Sequence, residues 1–327
     1  MFYTGGRGPL AILKRKLVQA RTVYAERGLR ALARSAVDEI RHETPYDLLR
    51  LIHPISPDPI MDRDWDNLLI LDACRYDSYA KNALDGGRVE RITAPGGHSM
   101  EFVQRHFADV PRHETICVTA NPWYVRYRDH LDLFKLVAFW NPDRDGELHC
   151  SPSGLVDRAI EAHRNWPDKR LVVHLMQPHI PYVTREGGEV VVRPGFDKYP
   201  DMIDAGRDVD EIRTAYEASL DVALSEVARF HDEVGGRSAV TADHGELLGE
   251  SIRWWRRWVH PDLPPRRNDR ENSFFGHARA LREPALIDVP YQELPAETRR
   301  TIEPGSPEPD EIHEGALEDQ LAALGYL

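Results

Sequence analysis

Three observations predict an α/β fold built on a doubly wound, mainly parallel sheet flanked by helices. Short apolar runs recur at Asn67-Leu68-Leu69-Ile70-Leu71, Thr115-Ile116-Cys117-Val118-Thr119, Arg170-Leu171-Val172-Val173-His174-Leu175, Ser238-Ala239-Val240-Thr241-Ala242 and Ala285-Leu286-Ile287-Asp288-Val289. Near-continuous apolar runs of this length are those of strands covered on both faces. Between them lie stretches of helical periodicity, at 78–84, 100–107, 153–165 and 209–233, so strand and helix alternate as crossover connections require. Acids and imidazoles gather where the runs end or shortly after: Asp72, His179, Asp243 with His244, and Asp288. Ligands of open α/β sheets bind at those carboxyl ends.

The 327 residues suit one large α/β domain with additions, or two small domains. Residues 1–65 are expected to form a basic N-terminal helical arm and a linker, and residues 66–327 the main domain. A formal net charge of −12 argues against nucleic acid as a partner. The cysteines Cys74, Cys117 and Cys150 are too few, and odd in number, for a disulfide framework. No run approaches the roughly 20 apolar residues that span a bilayer, and the N-terminus lacks the apolar core of a signal peptide. The expectation from these features is a cytoplasmic protein, peripheral to a membrane at most.

Leu10, Leu13, Leu17, Ala20, Val23 and Tyr24 recur at helical spacing within residues 10–42, and Lys14, Arg15, Lys16, Arg21, Arg27, Arg30, Arg34 and Arg41 make the segment basic. It reads either as an arm packed on the main domain with a solvated face or as a surface helix that meets anionic lipid. Residues 53–66, with three prolines and four aspartates, read as a linker or extended lead-in. The first strand delivers Asp72 to its end. Arg75 and Asp77 follow within a turn, as substrate contacts or as an ion pair of the loop itself, and Cys74 reads as a packing residue.

Thr93-Ala94-Pro95-Gly96-Gly97-His98-Ser99 is a loop that opens a helix. Ser99 stands where an N-cap stands, so its hydroxyl is either a cap or a nucleophile aimed into an anion-binding spot. Thr93 is the rival nucleophile, and His98 is a substrate contact or a solvated loop residue. Residues 131–140 are apolar and aromatic without a clear assignment. The third run leads into Met176-Gln177-Pro178-His179-Ile180-Pro181-Tyr182, and a long polar loop at 183–207 precedes the 209–233 helix.

The fourth run ends in Asp243-His244-Gly245-Glu246, where Gly245 would allow a sharp turn. Beyond it, residues 251–275 interleave Arg253, Arg256, Arg257, Arg266, Arg267 and Arg270 with Trp254, Trp255 and Trp258. This segment is an exposed loop with packed tryptophans, or a flap that holds an anionic or sugar-bearing substrate. With the N-terminal helix it allows peripheral contact with an anionic membrane. His277 precedes the fifth run. An acidic linker at 303–313 and a short helix at 312–324 end the chain.

These residue types suit displacement at phosphorus or sulfur. Two carboxylates and an imidazole hold a divalent cation, with Mn or Zn favoured and Mg or Ca allowed. Such a cation lowers the pKa of a coordinated Ser hydroxyl. Histidines such as His179 and His277 can protonate a leaving oxygen or bond a non-bridging one.

On these residues the chain resembles the alkaline phosphatase superfamily, and within it the archaeal and bacterial sulfatase-like proteins. Asp72 in LLILDACRYDSY resembles the family's first-strand metal aspartate. Ser99 in APGGHSMEF falls where the family places its nucleophile. His179 in MQPHIPY resembles the substrate-contacting His of a His-x-Pro motif, and Asp243 with His244 matches the metal-binding pair. TADHGELLGE with the later Gly276-His277 is similar to the motif of phosphoethanolamine transferases, and EDQLAALGYL to the ending of many sulfatase-like chains. Ser99-Met100-Glu101-Phe102 lacks the Pro and Arg that direct formylglycine formation. The family's paired site adds an Asp with a His four residues later; no copy here matches that motif in context, so the resemblance favours one metal over two, with His277 and His179 able to complete a second site.

The resemblance therefore implies an alkaline phosphatase-like fold with one metal on Asp72, Ser99, Asp243 and His244, catalysis by Ser99, His179 and His277, and an anionic phosphate or sulfate ester as substrate, on a glycan or lipid headgroup. The alternative is a non-catalytic member that binds such a glycan or headgroup.

Overall fold

The computed structural model describes residues 46, 54–139, 151–252 and 273–312. In chain order the elements are β1 (Asn67–Leu71), α1 (Tyr76–Lys81), β2 (Val89–Thr93), α2 (Ser99–His106), β3 (Pro111–Thr119), α3 (Pro122–Arg126), β4 (Asp132–Ala138), α4 (Pro152–Asn165), β5 (Arg170–Leu175), β6 (Val183–Glu186), β7 (Glu189–Val192), α5 (Tyr199–Asp204), α6 (Val209–Val234), β8 (Ser238–Ala242), β9 (Leu247–Ser251), β10 (Ser273–Gly276), α7 (Pro284–Ile287) and β11 (Asp288–Glu293). A seven-stranded sheet runs β2-β11-β8-β1-β5-β3-β4. β1 lies parallel to β5 and β8, and β3 parallel to β5 and β4. Only β11 runs against its neighbours β8 and β2. The fold is thus a mainly parallel sheet flanked by helices, as the alternation of runs predicts.

The reason lies in the strand sequences. β1 and β8 are buried at every position, because neighbouring strands and packed helices cover both edges and both faces. The crossover helix α6 starts on a capping box. The Asp208 carboxylate accepts from the Glu211 amide at 2.8 Å while the Glu211 carboxylate accepts from the Asp208 amide at 3.0 Å. α6 ends at Gly235, whose φ of 65° lies in the left-handed region.

Several elements depart from expectation. The apolar residues 285–287 form one helical turn rather than a strand, since Glu283 and Pro284 open a helix. The strand follows at 288–293 and is antiparallel. β8 pairing begins only at Tyr291, so Pro290, which has no amide hydrogen, needs no partner on that side. The stretch 131–140 contains β4, at the sheet edge.

The acidic segment expected as a linker lies along that edge. The Glu308 and Glu311 amides donate to Phe134 O and Leu136 O at 2.7 and 2.9 Å, and the Ala138 amide donates to Glu311 O at 2.9 Å. An otherwise open strand edge is covered. The presumed loop 183–207 holds the β6–β7 hairpin, turned by Gly187 and Gly188 with φ of 59° and 92°.

The proline-rich lead-in is also more than a linker. Ile60, Met61 and Trp65 belong to the main core. Trp65 is fully buried, donates from Nε1 to Ile60 O at 2.9 Å, and has the Arg170 guanidinium 4.6 Å from its ring centre. Cys74 and Cys117 are buried free thiols, so Cys74 packs as expected. The basic segment at 10–42, residues 253–272 of the Arg/Trp segment, Cys150 and residues 313–324 of the final helix lie outside the described residues. Among the described residues no helix is long and apolar enough to cross a membrane.

Removing the indole of Trp65 opens a cavity that neighbouring strands cannot fill. Trp65→Ala is expected to lower unfolding free energy by about 3–5 kcal/mol in a denaturant titration. A loss below about 1 kcal/mol would mean that the lead-in is dispensable to the core.

Candidate functional site

The site follows from strand register. Leu71 of β1 stands opposite Ala242 of β8, so the next residues, Asp72 and Asp243, leave the sheet side by side. Both are fully buried. The next residue of the β8 run, His244, points back into the same space. Its Nε2 lies 3.4 Å from Asp243 Oδ2 and 3.7 Å from Asp72 Oδ1. His244 Nδ1 donates to Gly245 O at 2.8 Å, because a carbonyl only accepts. This bond turns Nε2 toward the carboxylates and the Ser99 hydroxyl. Asp243 Oδ1 accepts from the Ala73 and His244 amides at 3.1 and 2.8 Å. Ala73 has a φ of 59°, a left-handed conformation uncommon for a residue with a Cβ.

Ser99 enters from α2. The expectation that it occupies the N-cap is corrected: His98 is the cap, and His98 Nδ1 accepts from the Met100 amide at 3.0 Å. The Ser99 hydroxyl is thereby released from capping. Its Oγ lies 3.3 Å from Asp72 Oδ2 and 3.2 Å from His244 Nε2. His98, read from sequence as a possible solvated loop residue, is buried.

Two further residues complete this group. His174 Nε2 is 3.7 Å from both Asp72 Oδ2 and Asp243 Oδ2. The Asn121 amide donates to Asp72 Oδ2 at 2.6 Å. Sequence reading passed over both. His174 hides inside an apolar strand run, where the only signal is an imidazole one residue from the strand end. Asn121 reads as a turn before Pro122.

His179 and His277 meet at a second group around Glu246. His277 Nδ1 is 3.1 Å from Glu246 Oε1, and the His277 ring is centred 5.1 Å from that of His179 and 4.3 Å from that of His244. Ligand atoms of His179, Glu246 and His277 lie within 4.8 Å of one another, as do those of Asp72, His174 and Asp243. The structure thus brings together Asp72, Ser99, Asp243 and His244, with His179 and His277 alongside. It leaves out Asp288, which pairs with Arg91 at 3.4 Å. Thr93 is paired with Asp288 in the sheet and donates its amide to Asp58. Arg75 forms the intra-loop pair with Asp77 at 2.8 Å and also reaches Glu250 at 2.7 Å.

Burial dominates the electrostatics. It pushes Asp72 well above the usual carboxylate range, and the neighbouring Asp243 charge adds to this. Burial opposes ionisation of Asp243 too, but the His244 and His174 imidazoles hold it below its ordinary value. Burial lowers His174, His179 and His277 to about 4 and raises Glu246 to about 7.

Asp72 Oδ1, Asp243 Oδ2 and His174 Nε2 are buried without a hydrogen-bond partner. Two buried carboxylates with unmet acceptor oxygens are costly. A divalent cation would meet them, and a donor set of carboxylate oxygen and imidazole nitrogen fits Zn or Mn.

Gly245 serves close packing rather than a left-handed turn. A Cβ there would stand 2.1 Å from Ala285 O, and the Gly245 amide donates to Leu286 O at 2.8 Å. Gly245→Ala is expected to push α7 off the β8 run and lower stability by about 1–3 kcal/mol, read as a drop in unfolding midpoint. A midpoint equal to wild type would show that this contact yields without strain.

No protein-family model matches the chain, and no curated protein does. Solved structures do. The C-terminal periplasmic domain of EcEptC from Escherichia coli, in complex with Zn, is similar at 11% identity and a TM-score of 0.46, over 74% of this chain and 75% of that one. The integral membrane protein lipooligosaccharide phosphoethanolamine transferase A from Neisseria meningitidis is similar at 9% identity and a TM-score of 0.45, over 88% of this chain and 60% of that one. A protein in the alkaline phosphatase superfamily from Vibrio parahaemolyticus is similar at 13% identity and a TM-score of 0.39, over 82% of this chain and 70% of that one. A 2-O GAG sulfatase also matches. The cytoplasmic expectation is corrected by these likenesses, which include a periplasmic domain and an integral membrane protein. Sparse cysteine is no mark of a reducing compartment in a fold whose buried site is built from carboxylates and imidazoles. The solved structures to which the chain is similar thus include phosphoethanolamine transferases, sulfatases and a protein in the alkaline phosphatase superfamily.

Proposed function

We propose that this chain is a metal-dependent enzyme that hydrolyses or transfers a phosphate or sulfate ester, with Ser99 as nucleophile. The observation that carries this reading is the placement of one buried hydroxyl, freed from helix capping, between a carboxylate and an imidazole beside a second carboxylate. Asp72, Asp243, His244 and Ser99 would hold one divalent cation, with Zn or Mn favoured by the donors and Mg or Ca allowed. When bound, such a cation supplies Lewis acidity and lowers the pKa of the serine hydroxyl.

The chain's own residues supply the rest. Asn121 and the Ala73 and His244 amides fix the two carboxylates. Ser99 is the first residue of α2, so a group transferred to its Oγ meets the positive end of that helix. His277 lies beside His244, and His179 beside His277, where they can protonate a leaving oxygen or bond a non-bridging one. The substrate is an anionic ester, on a glycan or lipid headgroup. The basic residues in 10–42 and 251–275 support peripheral contact with an anionic membrane.

A cation bound only by the folded state stabilises it. Zn or Mn at roughly 100 times its Kd is expected to raise unfolding free energy by about 2.7 kcal/mol. The gain should vanish in Asp243→Asn. If no divalent ion shifts the unfolding midpoint of the wild type, the metal reading fails.

Turnover of aryl phosphate and aryl sulfate esters, measured with metal present, separates the two candidate nucleophiles. Ser99→Ala is expected to lower kcat on the order of 10⁴-fold or more, and Thr93→Ala to leave it near wild type. The reverse pattern moves the nucleophile to Thr93.

A further inference from the structure

The segment that carries His277 is tied to the helix that carries Ser99 by a buried ion pair. Glu101, two residues after Ser99, is fully buried, and Arg282 nearly so. Glu101 Oε1 accepts from Arg282 Nη2 at 3.1 Å, and Oε2 from Arg282 Nη1 at 3.4 Å. Oε2 also accepts from the Ala280 amide at 3.0 Å. A carboxylate at this third helical position commonly turns back to the cap. Here it reaches across to another segment.

Three features show how closely the two segments are fitted. Ala280 has a φ of 57°, a conformation that side chains with a Cβ rarely adopt, and its amide is aimed at Glu101. A Cβ on Gly96 would stand 2.1 Å from Glu101 Oε2, and one on Gly97 would stand 2.9 Å from Leu281 O. The loop that delivers Ser99 therefore packs directly on residues 278–282. A buried ion pair is weak evidence for stability, because desolvating both charges offsets their attraction, and its best-attested use is to fix register. Strained backbone persists only where surrounding contacts hold it.

We propose that Glu101 and Arg282 are a positioning pair, which holds the His277 segment in register with the Ser99 helix so that nucleophile and imidazole face one reacting group. This rests on the reading of Ser99 and His277 given above. Neither Glu101 nor Arg282 touches the carboxylates of the site. Their effect would pass through the 276–283 segment.

The test is made on the full chain with Arg282→Met, Glu101→Gln and Arg282→Lys. Backbone amide exchange at 276–283 is compared with that of β8, and kcat and KM are measured on aryl phosphate and aryl sulfate esters with Zn present. For Arg282→Met the expected result is exchange at least about 10-fold faster at 276–283 with β8 unchanged. Its kcat should fall by about 10²-fold while KM stays within about threefold. Arg282→Lys, a point charge without the guanidinium fork, should recover only part of the kcat.

Unchanged exchange at 276–283 in a folded variant overturns the proposal. So does exchange that rises equally in β8, which marks a merely structural role, and so does an unchanged kcat. If Arg282→Met does not fold, Glu101→Gln decides by the same criteria, since its side-chain oxygen can still accept from Ala280. A wild type that turns over neither ester refutes the enzymatic reading instead, and the exchange comparison then decides the pairing alone.

Discussion

Asp72 and Asp243 sit next to each other, fully buried, because two parallel strands are in register, Leu71 against Ala242. Like charges at such range repel strongly in a buried setting, so the pair cannot both ionise without help. The surrounding structure supplies that help from several directions. Asn121 donates to one carboxylate, and two backbone amides donate to the other. His244 and His174 lie within 3.7 Å of both. Even so, an oxygen on each acid has no donor. The β1–β8 register thus creates a concentrated negative site that protein groups only partly satisfy, and the neighbouring elements are arranged around that deficit.

Much of this was legible in the sequence, for a physical reason. Strands covered on both faces must be apolar throughout, so β1, β5 and β8 stand out as runs, and the acids that follow β1 and β8 stand out by contrast. The elements that escaped reading lack that signature. β2 shows only one buried position among five, because it lies at the sheet edge. β4, at the other edge, carries Lys135 in the middle of its apolar stretch, where Nζ donates to Pro309 O and meets Glu311. β11 contains a proline, and an apolar stretch of helix precedes it. Edge position and irregular neighbours, rather than weak packing, made these strands hard to see.

The site was legible in part, along the same divide. Asp72, Asp243 and His244 follow strand ends and could be named from position. His174 could not, because within a strand the side chains alternate, and sequence alone does not say which face meets the site. Nor did sequence reveal that His98 takes the cap and leaves Ser99 its hydroxyl. Adjacent residues compete for the same helix amides, and the winner depends on where each side chain can reach. In this chain the imidazole of His98 bends back to the Met100 amide. The smaller serine is left one position into the helix, facing the carboxylates.

The costs in this region fall at the carboxyl ends of two parallel strands inside the sheet. There the chain places buried acids with unmet oxygens, left-handed alanines at positions 73 and 280, and glycines whose Cβ would collide with backbone. Elsewhere among the described residues the long crossover helix is capped at both ends, the β4 edge is covered and a large apolar core packs the sheet. A stable frame allows such local cost, because net stability is the small remainder of large opposing sums and tolerates a few unfavourable terms. The Ala73 strain is held by Asp243 and the Ala280 strain by Glu101. Each is maintained by a carboxylate that also belongs to, or adjoins, the serine helix and the metal-fitting pair. Backbone strain, buried charge and the freed hydroxyl thus belong to one connected set of contacts.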